Sequence, residues 1–65
     1  MAQVNGVQRQ DVDGMSLADV LLLDGFDARR VACELNEAIV SPDAYATAIL
    51  GPDDALEVVR FVGGG

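Results

Sequence analysis

The 65 residues include no histidine and no lysine, and only one cysteine. Without an imidazole there is no ordinary general base and no histidine ligand for a metal. Without lysine there is no Schiff-base chemistry. These absences argue against an autonomous enzyme. Cys33 alone cannot close an intramolecular disulfide, so the staple of small secreted domains is missing. The longest aliphatic run, Val20–Leu23, is far short of the ~20 residues a membrane span requires. Met1-Ala2-Gln3-Val4-Asn5 has neither a basic stretch nor an apolar one, so no signal peptide is expected and a cytoplasmic location is predicted. Positive charge is also scarce. Four arginines against eleven carboxylates give a net charge of −7, which repels phosphate backbones and argues against nucleic-acid binding.

What is present points to a folded domain. The hydrophobic fraction of 51% excludes disorder on composition, and the length allows one domain, which buries only about 60% of its unfolded surface. Val4-Asn5-Gly6-Val7 places Asn-Gly between valines, a strong hairpin signal, with strands predicted over Ala2–Val4 and Val7–Val12. Asp13-Gly14 ends the second strand. Ser16 is the expected helix cap, with Asp19 three residues on in a capping-box variant and Met15 and Val20 at staple spacing. Leu17, Val20 and Leu21, joined by Leu22 or Leu23, form the apolar stripe, and Gly25 is the left-handed stop. A helix of about two turns cannot stand alone in water and must lie on a sheet.

Val31–Leu35 is predicted as the third strand, with Val31, Cys33 and Leu35 on one face. Asn36-Glu37 turns the chain into a short strand, Ala38–Val40, closed by Pro42. Tyr45 and Leu50 are candidate core anchors in the connection that follows. Gly51-Pro52-Asp53-Asp54 forms a turn, and Leu56–Val62 is the last strand. One helix over one sheet is the α+β class. A mixed sheet of four to five strands, with the first and last strands central and parallel, is the β-grasp (ubiquitin-like) arrangement. The expected organisation is a domain over residues 1–62 and a flexible glycine tail over 63–65.

The tail, Gly63-Gly64-Gly65, follows directly on an apolar strand. Glycine adds nothing to packing and loses the most backbone entropy when fixed, so the segment reads either as a frayed terminus or as a slender peg bearing a carboxylate. Val59 and Phe61 alternate with inward Leu56 and Val58 and are candidates for partner binding; Phe61 packed over a core edge is the competing reading. Asp53, Asp54 and Glu57 either steer the chain toward a basic surface or keep it soluble. Asp11-Val12-Asp13-Gly14 has too few acids for a calcium loop, and no metal site is expected.

Together these segments resemble the thiamine-biosynthesis sulfur carriers (ThiS), small ubiquitin-like β-grasp proteins. The resemblance rests on Val4-Asn5-Gly6, Ser16-Leu17-Ala18-Asp19-Val20-Leu21, Arg30-Val31-Ala32 leading to Glu34-Leu35-Asn36, and Leu56-Glu57-Val58-Val59-Arg60 running into Val62-Gly63-Gly64-Gly65. It spans essentially the whole chain. Departures are Glu37 where the family often has glycine, Tyr45 for a tryptophan, Pro52-Asp53-Asp54 for an Asp-Gly-Asp turn, and Cys33 for a valine.

The resemblance implies a protein co-substrate and not an enzyme. Gly65 would be adenylated by an adenylating (E1-like) enzyme using Mg-ATP, then converted to a thiocarboxylate by a persulfide sulfur donor. Gly63 and Gly64 would thread the tail into partner sites, and thiazole synthase would accept the sulfur. No cofactor is bound by the carrier itself. Three rivals stay open: a carrier for molybdopterin or another sulfur-transfer pathway, a ubiquitin-like protein modifier, and an interaction module whose tail is incidental.

Overall fold

The computed structural model describes residues 1–62; the tail residues Gly63, Gly64 and Gly65 lie outside the described residues. Five strands and one α-helix follow in the order β1 (Ala2–Val4), β2 (Val7–Arg9), α1 (Leu17–Leu23), β3 (Val31–Leu35), β4 (Ala38–Val40) and β5 (Ala55–Arg60). Short 3-10 turns at Ala28–Arg30 and Pro42–Ala44 precede β3 and follow β4. The sheet order is β2-β1-β5-β3-β4. β5 is therefore central and runs parallel to β1, as the β-grasp expectation requires, while the other pairings are antiparallel.

Both hairpins turn through two residues with positive φ, the geometry whose twist suits adjacent strands. Asn5 and Gly6 sit at φ 50 and 83, a combination that Asn-Gly adopts at little cost. Asn36 and Glu37 sit at φ 52 and 69. Glu37 thus occupies a left-handed position that glycine would fill with less strain.

The helix is short, and both its ends are capped. Of its orphan first-turn donors, Leu17 N–H donates to Ala48 O (2.9 Å) and Ala18 N–H to Tyr45 O (2.8 Å). Asp19 N–H donates to Ser16 Oγ (3.1 Å), the predicted cap. At the other end Phe26 N–H reaches Leu21 O (2.9 Å) and Gly25 N–H reaches Leu22 O (3.2 Å), with Gly25 at φ 79. This is the Schellman closure that glycine permits. Phe26 then packs against the core that α1 covers.

That core joins Ala2, Val4, Leu56 and Val58 from the central strands to Leu17, Val20 and Leu21 of the helix. Val31 and Cys33 come from β3, and Tyr45 and Leu50 from the 41–51 connection, so both predicted anchors are buried.

Three expectations need correction. β2 ends at Arg9 and not at Val12, because the chain bends at Gln10 and leaves the sheet edge to cross toward the helix. Asp13 N–H donates to Gln10 O (3.2 Å) and Met15 N–H to Val12 O (3.1 Å), so Val12 enters the core from a turn. Neither Leu22 nor Leu23 joins the apolar stripe; both are exposed, since a two-turn helix presents only Leu17, Val20 and Leu21 to the sheet. The last strand spans Ala55–Arg60, two residues short of the predicted end at Val62. Among the described residues no helix is long and apolar enough to cross a membrane.

Candidate functional site

Everything proposed for the tail depends on where β5 delivers it, and β5 is held from both sides. On the β3 side the ladder runs from Leu35 opposite Leu56 to Val31 opposite Arg60, and Phe61 N–H extends it by donating to Arg30 O (2.9 Å). On the β1 side, Gln3 N–H donates to Asp54 O and Asn5 N–H to Leu56 O, both 2.9 Å. The chain of β1 then turns away at Asn5, yet the ladder continues for one more rung. Asn5 Oδ1 accepts from Val58 N–H (2.7 Å) and Asn5 Nδ2 donates to Val58 O (3.3 Å). A side-chain amide has one donor and one acceptor group, so it replaces a backbone unit in the ladder.

Asn36 repeats this at the other end of the strand. Its Oδ1 accepts from Ala55 N–H (2.9 Å), and its Nδ2 donates to Asp54 Oδ1 (2.9 Å). Asp54 Oδ2 also accepts from Gly51 N–H (2.8 Å). The Asn36 amide first, and the Gly51 backbone second, hold the Asp54 carboxyl below the usual carboxylate range. Asp54 is thus a turn-forming acid, whereas Asp53 and Glu57 remain exposed. Sequence reasoning read Asn5 only as a turn residue and missed both amide staples. The available signal was that each asparagine precedes the second residue of a two-residue turn beside the chain's longest strand.

Val59, on β5, and Phe61, one residue past its end, are 55% and 62% exposed, whereas Leu56 and Val58, which precede them in the chain, are buried. Phe61 is not part of the core. The register sets Val59 opposite Ala32, and the exposed Ile39 of β4 opposite Glu34. The outer face of the sheet is therefore apolar beside the strand that leads to the tail, with Glu34 and Glu57 facing each other lower down.

The other sequence candidates are absorbed by structure. Asp11 bonds Arg9 at 2.8 Å, and the Arg9 guanidinium lowers its carboxyl. Asp13 Oδ1 accepts from Ala2 N–H (2.7 Å). Arg9 also bridges to Asp24 (2.5 Å), tying β2 to the end of α1. Cys33 is buried, and burial pushes its thiol up from the ordinary value. A thiol so placed is a poor nucleophile. Among the described residues no group of three or more His, Cys, Asp or Glu side chains is gathered as metal ligands would be.

A second feature was not anticipated. An open groove of about 320 Å³ lies where β5 ends, lined by Gly25, Asp27, Arg30, Val31, Arg60 and Phe61. The Arg60 guanidinium lies over the Phe26 ring, 5.1 Å from its centroid. Asp27 caps the 3-10 turn through Arg29 N–H (3.0 Å), accepts a hydrogen bond from the Arg29 side chain (3.2 Å) and forms an ion pair with Arg30 (3.6 Å). Hydrogen bonding to the Arg29 side chain, then to its backbone, holds the Asp27 carboxyl below its ordinary range.

Comparison with known proteins agrees with this geometry. The chain is 40% identical over 62 residues to a thiazole synthase of Magnetococcus marinus and 39% identical over 62 residues to one of Paramagnetospirillum magneticum. Each match covers 95% of this chain but 19% of the relative, so the chain spans about a fifth of the length of those proteins. It is also 35% identical over 63 residues to the uncharacterized protein ycf40 of Pyropia yezoensis, covering 97% of this chain and 89% of that protein. Among solved structures it matches the thiamine biosynthesis protein (ThiS) from Geobacter metallireducens with a TM-score of 0.76 and 27% identity, over 98% of this chain and 97% of that one. Residues 2–65 match the model of the ThiS family, and the chain belongs to that family.

Proposed function

We propose that this chain is a sulfur carrier for thiazole formation in thiamine biosynthesis, with Gly65 as the residue that is modified. The observation that carries the reading is the central strand β5, paired on both sides and followed in sequence, two residues on, by Gly63-Gly64-Gly65, in a chain that matches the ThiS family from residue 2 to residue 65. That a similar stretch occurs within proteins named thiazole synthase supports thiazole synthase as the acceptor.

A carboxylate is a poor acyl donor because its leaving group would be oxide. In the proposed sequence an adenylating enzyme directs a Gly65 carboxylate oxygen onto the α-phosphorus of Mg-ATP. The bond to the β-phosphate breaks and pyrophosphate leaves. The terminal sulfur of a donor persulfide then attacks the acyl carbon and AMP departs, giving an acyl disulfide. A thiol cleaves its S–S bond, which leaves a thiocarboxylate on Gly65 and a disulfide on the donor side. Catalytic groups belong to the partners, and the carrier is a co-substrate in the cytoplasm. Gly63 and Gly64 serve to pass a narrow channel, where a Cβ would demand width or restrict φ.

The exposed Val59 and Phe61 face serves as the docking surface for these partners. Truncating either residue to alanine removes little buried area, so stability should stay within about 0.5 kcal/mol while KM for the carrier rises. The decisive experiment is the intact mass of the chain after incubation with a thiamine-pathway adenylating enzyme, Mg-ATP and a persulfide donor. A gain equal to one oxygen replaced by sulfur, mapped to Gly65, is expected. Gly64→Ala and Gly65→Ala should fold normally and stay unloaded. An unchanged mass with partners proven active on another carrier, or normal loading of both variants, would overturn the proposal.

A further inference from the structure

Three of the four arginines stand at one corner of an otherwise acidic molecule. Arg29 and Arg30 end the 3-10 turn Ala28–Arg30, and Arg60 ends β5. The pairing of Val31 with Arg60, and of Phe61 N–H with Arg30 O, brings these two chain segments together at the root of the tail. Asp27 is the one carboxylate among the described residues bridged to this group. It is shared between Arg29 and Arg30, whose side chains are 88% and 81% exposed. Arg60 has no carboxylate within salt-bridge reach among the described residues and is oriented instead by the Phe26 ring. Three guanidiniums against one carboxylate leave a local excess of positive charge in a chain of net charge −7. Solubility does not call for this, since the acids supply it. Gathering like charges beside an open groove costs folding energy that an occupant of opposite sign would return.

We infer that the Arg29, Arg30 and Arg60 corner docks a carboxylate-bearing surface of the protein that takes up the tail. The inference rests on the carrier reading for the identity of that protein, but not for the chemistry of the corner. Guanidinium groups match carboxylates through paired N–H donors, and Arg60 already lies over an aromatic ring, 5.1 Å from its centroid. The groove lined by Arg30, Arg60, Val31 and Phe61, with Asp27 its one carboxylate, has room for an Asp or Glu side chain together with some apolar contact. The two faces of the molecule then divide the work. The acidic and apolar sheet surface docks one region of the partner, while the basic corner fixes the register of β5 where the tail departs. Charge of both signs on one small carrier also discriminates against partners that present a uniformly basic surface.

Two measurements test this separately. In the first, hexaglutamate is titrated into the isotopically labelled chain at low ionic strength, with hexalysine as the opposite probe. Backbone amide shifts should concentrate at Arg29–Val31 and Arg60–Phe61 with hexaglutamate. They should vanish in Arg30→Glu and in about 0.5 M salt, where the Debye length is only a few ångströms. Hexalysine should shift the acidic regions instead. Absence of shifts at the corner, or shifts that persist in Arg30→Glu, would overturn the inference. In the second, adenylation of the chain is followed as a function of carrier concentration. Arg30→Glu and Arg60→Glu should each raise KM about tenfold at low salt with kcat nearly unchanged, and the difference should shrink as salt rises. An unchanged KM in both variants, with wild-type adenylation intact, would overturn the docking role. If the wild-type chain is not adenylated at all, the carrier reading fails and the peptide titration alone decides the corner. Arg30 is mostly exposed, so its variant remains folded and keeps the test valid should Arg60→Glu lose stability with its Phe26 contact.

Discussion

Asn5→Gly should destabilise the domain by about 2 kcal/mol, although glycine is the residue that tolerates the turn best. Glycine keeps the backbone at φ 50 without strain, and asparagine gains almost nothing over it there. What disappears is the extra rung between Asn5 and Val58, one bond of 2.7 Å and one of 3.3 Å, both partly buried. A typical intramolecular hydrogen bond contributes about 1 kcal/mol net, and an orphaned, partly buried N–H costs about 1–3 kcal/mol. The shorter bond to Val58 N–H dominates, and the greater freedom of glycine in the unfolded chain adds a few tenths. For a domain of this size about 2 kcal/mol corresponds to a fall in melting temperature of roughly 8–16 °C. The assay is urea unfolding followed by far-ultraviolet circular dichroism, where the midpoint should drop at an unchanged slope. Asn36→Gly is the internal control. Its two bonds, both 2.9 Å, are exposed, so water replaces them and the loss should be about 1 kcal/mol or less. Stability of Asn5→Gly within about 0.5 kcal/mol of the native chain, or a larger loss in Asn36→Gly, would refute the claim that the amide completes the ladder. Hydrogen exchange gives an independent reading, because protection of the Val58 amide should fall selectively.

Three further outcomes are expected. Glu37→Gly relieves a left-handed glutamate at φ 69 and should stabilise by about 0.5–1 kcal/mol, read as a higher melting temperature; a decrease would contradict the strain argument. The folded state holds the Asp54 carboxyl low, so its contribution is present above the ordinary carboxylate pKa of about 3.9 and fades as pH falls through the folded value. The stability gap between the native chain and Asp54→Asn should accordingly narrow below about pH 4, and a gap that does not change with pH would refute the assignment. Buried Cys33 should resist iodoacetamide in the folded chain, and Cys33→Val should stay within about 1 kcal/mol and still accept sulfur at Gly65; lost loading in the folded variant would bring the thiol back into the mechanism.

Periodicity and turn chemistry were enough to find all five strands, because each is bounded by a residue with a local reason to turn. Asn5-Gly6, the Ser16 cap, Gly25 and Pro42 act within a few residues of themselves, and such signals survive in a bare sequence. The errors fall where long-range packing takes over. Val12 looks like strand because it alternates with its neighbours, but it reaches the core from a turn that the crossing to α1 imposes. Leu22 and Leu23 look like core because they are leucines, but a seven-residue helix on a sheet has no second face to bury. The exposure of Val59 was legible from alternation along one strand. The arginine corner was not, since residues 29–30 and 60 meet only through the β3–β5 register.

The distribution of restraint along β5 bears on how such a tail could work. Fixing one residue of backbone costs about 1–2 kcal/mol, so threading three glycines costs on the order of 3–6 kcal/mol before any contact is made. Each further residue that had to be fixed on threading would add to that sum. Here the ladder holds the β3 side through Phe61, and the Asn5 amide holds the β1 side through Val58, although β1 itself stops at Val4. Under the carrier reading, the side-chain rung therefore shortens the segment that a partner would have to order. It also links a stability measurement to a functional one under the carrier reading. Asn5→Gly loosens the strand that leads to Gly63 while leaving both the docking face and the glycines untouched. Its KM for adenylation should rise at temperatures where the variant is still fully folded, and the rise should track the loss of Val58 amide protection. A variant that loses protection at Val58 yet keeps the native KM would show that the partner needs only the glycines, and that the ordered root of β5 serves folding alone.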